Sequence, residues 1–224
     1  MISLRGVRHR FGDRLVLDGI SLDLPERRIG VIGANGSGKS TLARTLNGLV
    51  LPDEGTVAVD GLDVRRDGAA VRRRVGFLFS DPDAQIVMPT VAEDVAFSLR
   101  RARLGRAEQQ RRVAEVLERF GLAGHADHPA HLLSGGQKQL LALASVLVLD
   151  PAVLVMDEPT TLLDLRNARR IAEVVDDLPQ QVVLVTHHLD LLAGADRVLV
   201  VDAGRVVHDA PPAEAVAAYR DLMA

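Results

Sequence analysis

The chain of 224 residues contains no cysteine, which excludes disulfides and rules out a cysteine-ligated zinc. Aromatic side chains are scarce, at 3%. No apolar stretch is long: LLALASVLVLDPAVLVM is cut at Asp150 and Pro151, so neither half reaches the roughly 20 residues of a membrane-crossing helix. The first residues, MISLRGVRHRF, hold no continuous apolar core of the kind a secretion signal needs. A cytoplasmic protein is therefore expected. Charge of one sign is missing too. With 27 basic and 30 acidic side chains the net charge is -3, which provides no overall field for nucleic acid or anionic lipid. Lysine is almost absent, confined to Lys39 and Lys138 in a chain that otherwise uses arginine.

What is present is ordinary for a globular protein, with 47% apolar and 25% charged residues. The length suits one well-filled core, or one core carrying an inserted subdomain, and is too short for two independent domains of usual size. Short β-branched runs (RRIGVIG, VLVMDE, VVLVTHH, RVLVVD) alternate with helical segments, a pattern that predicts an α/β fold with a mostly parallel sheet. Residues 1 to 28 and 56 to 64 read instead as antiparallel strands, with turn residues at Gly12, Asp13, Gly61 and Asp63. Residues 86–135 read as a helical insertion, because VAEDVAFSLRRARL and AEQQRRVAEVLERFGL space their apolar residues by three and four. The expected organisation is a single domain over 1–224, with core and β-subdomain in 1–85 and 136–224. Arginines cluster at 72 to 74, at 100, 101, 103 and 106, and at 111 and 112. The last cluster interleaves with Glu108, Glu115 and Glu118 and reads as a solvated helix face.

GANGSGKST, residues 33 to 41, follows the strand pattern IGVI and precedes the helical pattern LARTLNGL. That context marks a phosphate-binding loop. Gly33, Gly36 and Gly38 allow backbone amides to turn inward, and a helix N-terminus adds partial positive charge to the cradle that also contains Asn35, Ser37 and Thr41. Lys39 reaches the terminal phosphates, where a compact ammonium and an arginine fork are not equivalent, and Ser40 offers a hydroxyl to magnesium. Further on, VLVMDE ends a strand with Asp157 and Glu158. This pair suits a division between metal binding and polarisation of water against a γ-phosphate. LLSGGQKQ, residues 132 to 139, presents a second set of anion-binding groups in Ser134, Gly135, Gly136 and Gln137.

GANGSGKST, LLSGGQKQ, VLVMDEPT, the aspartate of TTLLD and the histidine of VLVTHH occur in this order, and with them the chain closely resembles an ATP-binding cassette ATPase over essentially its whole length. The resemblance implies a P-loop (RecA-like) core, ATP and Mg2+ as ligands, adenine stacking on Phe11, a γ-phosphate contact from His187 rather than His188, and a dimer-coupling position at Asp164. It also implies a head-to-tail pair in which Ser134 of one subunit serves the ATP held by Lys39 of the other. The pair is expected to be a homodimer, with a heterodimer as the alternative. His125, His128 and His131 in GHADHPAH have a spacing that permits a metal, but Pro129 interrupts the segment and the family commonly has a variable linker there.

Within the family, a single cassette without cysteine or a long insertion resembles a transport ATPase rather than a DNA-repair, chromosome or translation protein. FLFSDPDAQIVMPTVAEDVAFSLR resembles the energy-coupling factor group through Asp81, Pro82, Asp83, Gln85, Pro89, Thr90, Val91, Asp94, Val95, Ala96 and Phe97. The implied partners are a transmembrane coupling protein and a separate substrate-binding membrane protein, with the chain peripheral on the inner face of the membrane. Biotin is the substrate implied by the short C-terminus and the SDPDAQIVMPT wording; cobalt, nickel or another vitamin is the alternative. The sequence departs from the group after Phe79, where the usual glutamine is Ser80. The resemblance then leaves Ser80 to reach the magnesium shell through a water, and leaves Gln85 to serve the groove for the coupling protein.

Overall fold

The computed structural model describes residues 1–161 and 163–224; Leu162, inside the TTLLD stretch, lies outside the described residues. Two compact units are seen. The first contains Met1–Phe77, Ala152–Glu158 and Pro179–Ala224, and the second contains Leu78–Pro151 and Pro159–Leu178.

The first unit opens with β1 (Ile2–Phe11), β2 (Arg14–Leu24), β3 (Arg28–Ile32) and α1 (Lys39–Thr45), followed by β4 (Glu54–Val59), β5 (Leu62–Asp63), α2 (Gly68–Arg74) and all but the last residue of β6 (Val75–Leu78). It resumes with β7 (Val153–Asp157), β8 (Gln181–Val185), β9 (Arg197–Asp202) and β10 (Arg205–Ala210). The four-stranded sheet, in the order β2-β1-β4-β5, is antiparallel. Its strands alternate, as a sheet with one wet face does: Ile2, Leu4 and Val7 are buried while Arg5, Arg8 and Arg10 face solvent.

The six-stranded sheet runs β10-β9-β3-β8-β7-β6. Strands β9, β3, β8 and β7 are mutually parallel, and β10 folds back antiparallel on β9. Here alternation disappears. Every residue of β7 (VLVMD) is buried, as expected for a strand covered on both faces. Leu4, Leu22 and Leu24 of the first sheet converge with Val31, Val183 and Leu199 of the second on Leu42, Ala43 and Leu46 beside α1. A further helix, numbered α7 (Pro212–Met223), lays Ala215, Val216 and Tyr219 on Ile32, Leu192, Val198 and Val200.

The second unit is helical, with α3 (Val91–Ser98), α4 (Arg106–Arg119), α5 (Gly135–Leu147) and α6 (Leu165–Asp176). Helix α3 packs on α4 and α5, and α5 touches α4 and α6. The expected helical stretch 86–135 supplies α3 and α4 of this unit. Both α3 and α5 begin with reciprocal caps, Thr90 with Glu93 and Ser134 with Gln137. Along α4, Arg111 pairs with Glu108 and Glu115, and Arg112 also reaches Glu108. Hydrogen bonds from Arg111, then Arg112, hold the Glu108 carboxyl down to about 2. Helix α4 closes at Phe120, followed by Gly121 with φ +67°. Among the described residues no helix is long and apolar enough to cross a membrane.

One buried carboxylate organises the segment that leads into α3. Asp94, 3% exposed, accepts the amides of Val87 (2.8 Å) and Met88 (3.1 Å) on Oδ1 and the Ser145 hydroxyl of α5 (2.9 Å) on Oδ2. Removing it leaves three donors without their acceptor. Asp94→Leu is expected to destabilise the protein by about 3 kcal/mol or more in urea denaturation. Arg111→Ala, which breaks only exposed helix pairs, should barely move the midpoint. Equal midpoints for Asp94→Leu and the parent would show that the carboxylate does not hold this segment.

Candidate functional site

In an open parallel sheet the ligand-bearing loops gather beyond the carboxyl ends of neighbouring strands. Strands β3, β8 and β7 are consecutive neighbours. Residues 33–41 follow β3, Asp157 ends β7 with Glu158 next, and His187 lies just beyond β8. Three stretches far apart in sequence are thus brought to one edge of the first unit.

The loop after β3 is held by backbone. Gly33 has φ +152°, and a Cβ there would stand 2.0 Å from the Val201 carbonyl oxygen of β9. Gly38 has φ +108°, and a Cβ there would stand 2.6 Å from the Val16 carbonyl oxygen of β2. The turn between β9 and β10 links these supports: Gly204 donates its amide to Ser37 O at 2.9 Å, and its carbonyl accepts the Asp18 amide at 2.9 Å. Asn35 and Gly36 are left exposed at the crest, while Ser37, Gly38 and Lys39 are buried. The Ser37 hydroxyl is buried without a hydrogen-bond partner among the described residues.

Lys39 Nζ donates to the carbonyls of Gly33 (2.8 Å) and Ala34 (2.9 Å), so the ammonium is folded into the loop. Burial pushes its pKa down, opposed by the negative charges of Glu158 and Asp157. An anion in the loop would further offset that burial. Ser40 Oγ donates to Asp157 Oδ1 at 2.7 Å, and Arg44 stands 3.5 Å from the other carboxylate oxygen. The Ser40 and Asp157 oxygens, one hydroxyl and one buried carboxylate, form the hard-oxygen donor set that suits magnesium. Thr41 is half-buried at the start of α1.

Glu158 adopts φ +53°, unusual for a side chain with a Cβ. Its amide donates to Val185 O at 2.9 Å, tying the residue to the end of β8. The carboxylate accepts the His187 amide at 3.3 Å and lies 2.6 Å from His187 Nδ1. Backbone strain of about 1–3 kcal/mol persists where surrounding contacts over-determine a position, and such positions cluster at functional sites. Phe11, at the tip of the β1–β2 hairpin, is 56% exposed.

The remaining sequence-selected residues lie in the second unit. Ser134 is the N-cap of α5: its Oγ accepts the Gln137 amide, and Gln137 Oε1 accepts the Ser134 amide at 2.9 Å. Gly135 is exposed. Gly136 packs against α6 so closely that a Cβ would stand 2.4 Å from Asn167 Oδ1. Asp164 caps α6 by accepting the Asn167 amide at 2.8 Å. Ser80 is half-buried in the segment following β6. Gln85 Oε1 accepts the Phe79 amide at 3.2 Å, Gln139 Nε2 donates to Phe79 O, and Lys138 holds Asp83 at 2.7 Å. The two lysines therefore do different work, Lys39 in the loop and Lys138 in an ion pair. Among the described residues no three His, Asp or Glu side chains gather so as to hold a metal ion, and His125 Nε2 meets Gln137 Nε2 at 3.2 Å. Sequence reading passed over Gly204 and Arg14, whose Nη2 donates to Gly36 O at 3.2 Å. The only available signal for Arg14 was its place just after the Gly12–Asp13 turn.

Comparison with known proteins gives the following. The ABC transporter family profile matches residues 17–161. A putative ABC transporter ATP-binding protein of Deinococcus radiodurans is 58% identical over 100% of this chain and 99% of its own length. A biotin transport ATP-binding protein, BioM, of Rhizobium etli is 47% identical over 96% of this chain and 95% of its own. The dimeric structure of a post-hydrolysis state of the ATP-binding cassette MJ0796, bound to ADP and Pi, has a TM-score of 0.82 at 27% identity and covers 95% of this chain and 99% of that one.

The close approach at Gly38 sets a test. A methyl group there must push back the Val16 carbonyl or drag the loop from its place. Gly38→Ala is expected to cost about 2–4 kcal/mol in chemical denaturation, with a parallel loss of triphosphate binding by titration calorimetry. An unchanged midpoint would mean that β2 does not clamp the loop.

Proposed function

The chain belongs to the ABC transporter family and is an ATPase, and on that premise we propose that it hydrolyses ATP to drive an energy-coupling-factor importer, with biotin as the imported substrate. The observation that carries the reading is the gathering of Lys39, Ser40, Asp157, Glu158 and His187 at one edge of the parallel sheet. The amides of residues 33–41 and the Lys39 ammonium bind the phosphates, with the N-terminus of α1 adding favourable potential. Phe11 stacks on the adenine, which an exposed ring at a hairpin tip is free to do. Ser40 and Asp157 would hold magnesium, which when bound would draw charge from the phosphate oxygens.

Glu158 accepts a proton from the attacking water, and His187 fixes the orientation of that carboxylate through Nδ1 while facing the γ-phosphate. Two chains pair head to tail, so that Ser134, Gly135, Gly136 and Gln137 of one cover the ATP of the other and Asp164 links the two sites. The exposed N-terminus of α5 supports that role, and so does the dimeric form of the MJ0796 cassette. ATP binding then favours the closed pair and hydrolysis releases it.

The membrane partners are a transmembrane coupling protein and a substrate-binding protein, which this chain serves from the inner face of the membrane. The SDPDAQIVMPT segment supports the energy-coupling-factor reading, and similarity to the biotin transport protein supports the substrate. With magnesium bound, Ser80 would reach it through a water. Gln85, whose side-chain oxygen engages the Phe79 amide, shapes the segment that meets the coupling protein.

Biotin uptake by cells lacking the chain should fall to background, returning with the parent chain and not with Glu158→Gln; loss of cobalt or nickel uptake instead would reassign the substrate. In purified protein, Glu158→Gln is expected to retain ATP binding while turnover falls on the order of 100-fold or more, because the amide keeps shape and loses basicity. With ATP and magnesium the same variant should shift from monomer to dimer in light scattering. Near-normal turnover would remove Glu158 from its role. Ser80→Ala should leave hydrolysis in place and reduce uptake per ATP consumed; unchanged coupling would reject the water-mediated contact.

A further inference from the structure

The β1–β2 hairpin is rooted against the loop after β3 at one end and carries an exposed tip at the other. Its root is fixed where Val16 O meets Gly38 and where Asp18 donates to Gly204 O. Beyond Val16 the tip is a two-residue turn, Gly12 and Asp13, flanked by the cross-strand pair Phe11 and Arg14. Other braces give the tip its shape: Arg10 Nη1 donates to Asp13 O at 2.9 Å, the buried His9 ring meets Phe11 edge-on at 4.7 Å, and the Arg10 amide donates to Asp53, just ahead of β4, at 2.7 Å. These braces do not reach the phosphate loop. Arg14 does, through Nη2 to Gly36 O at 3.2 Å, at the exposed crest of the loop.

We propose that Arg14 is a positioning residue that ties the hairpin tip to the phosphate loop and so sets the distance between the Phe11 ring and the bound phosphates. The proposal rests on the reading of this edge as the ATP site and deepens it. A nucleotide has a fixed span from base to triphosphate, so the ring and the loop must be held in register for both ends to bind at once. The His9 and Asp53 contacts shape the tip but do not tie it to the loop; without a tie at the crest the spacing between ring and loop is set only at the root, and each binding event must fix it. The Arg14 guanidinium closes the span from the far side of the turn. Because Nη2 is directed to a loop carbonyl, its effect on ATP passes through Phe11 and not through a phosphate oxygen.

The test compares ATP with inorganic tripolyphosphate, both with magnesium, by titration calorimetry on the parent, Arg14→Ala, Phe11→Ala, the double variant and Lys39→Ala. Arg14 is exposed, so its truncation leaves the core intact. Arg14→Ala is expected to weaken ATP by about five-fold, the scale of one solvent-accessible charged hydrogen bond, while tripolyphosphate affinity stays within about two-fold. The double variant should bind ATP no more weakly than Phe11→Ala alone, since removing the ring removes what Arg14 positions. Equal losses for ATP and tripolyphosphate would make Arg14 a direct phosphate ligand and overturn the proposal, as would additive losses in the double variant or no loss at all. Lys39→Ala separates the two levels of inference: if it keeps both probes, the ATP-site reading itself fails and the proposal with it.

Discussion

The loop after β3 stays in place because backbone comes within contact distance of backbone. Val201 O beside Gly33 and Val16 O beside Gly38 leave no volume for a Cβ, and Gly204 stitches Ser37 to Asp18 between them. One support comes from the parallel sheet and the other from the antiparallel sheet. The two sheets of the first unit thus meet at the loop as well as in the aliphatic core around α1. An anion site built on amides depends on such fixation, since amide dipoles that must reorganise on binding lose much of their electrostatic advantage.

The same economy of placement governs the carboxylates. Asp157 is the last residue of a fully buried strand, which leaves its side chain little freedom and puts it against Ser40 at 2.7 Å. Glu158 follows immediately, in a left-handed conformation that turns its carboxylate to His187. Adjacent residues on an extended strand would send their side chains to opposite faces. The backbone turn at Glu158 breaks that rule, so two neighbouring acids reach the same edge of the sheet with different partners.

In the second unit, residues of the LSGGQ stretch serve the fold as well as the proposed site. Ser134 and Gln137 cap α5, and Gly136 admits the side chain of Asn167, whose amide is capped by Asp164. Helix caps and close helix contacts explain these residue types locally. They do not by themselves require a nucleotide. What the local account leaves over is the exposure of Ser134 and Gly135 at a helix N-terminus. Asp94 plays the complementary part inside the unit, satisfying two loop amides and a hydroxyl of α5 with one buried carboxylate.

Much was legible in the order of residues, because the relevant constraints are local. A continuous β-branched run such as VLVMD declares a strand buried on both faces, and GANGSGKST between a strand and a helix declares its loop. The 3.6-residue spacing around Val113, Val116 and Leu117 declares the buried face of α4. Resemblance to a family implied roles for Phe11, His187 and Asp164, which are proposals that no local pattern carries. Tertiary structure alone decided which distant groups meet: that β8 lies between β3 and β7 and so delivers His187 to Glu158, that Val16 and Val201 close on the glycines, and that Arg14 reaches Gly36. Such contacts depend on strand order and register across the sheets, which are set by the packing of the whole core and leave no periodic trace in the chain.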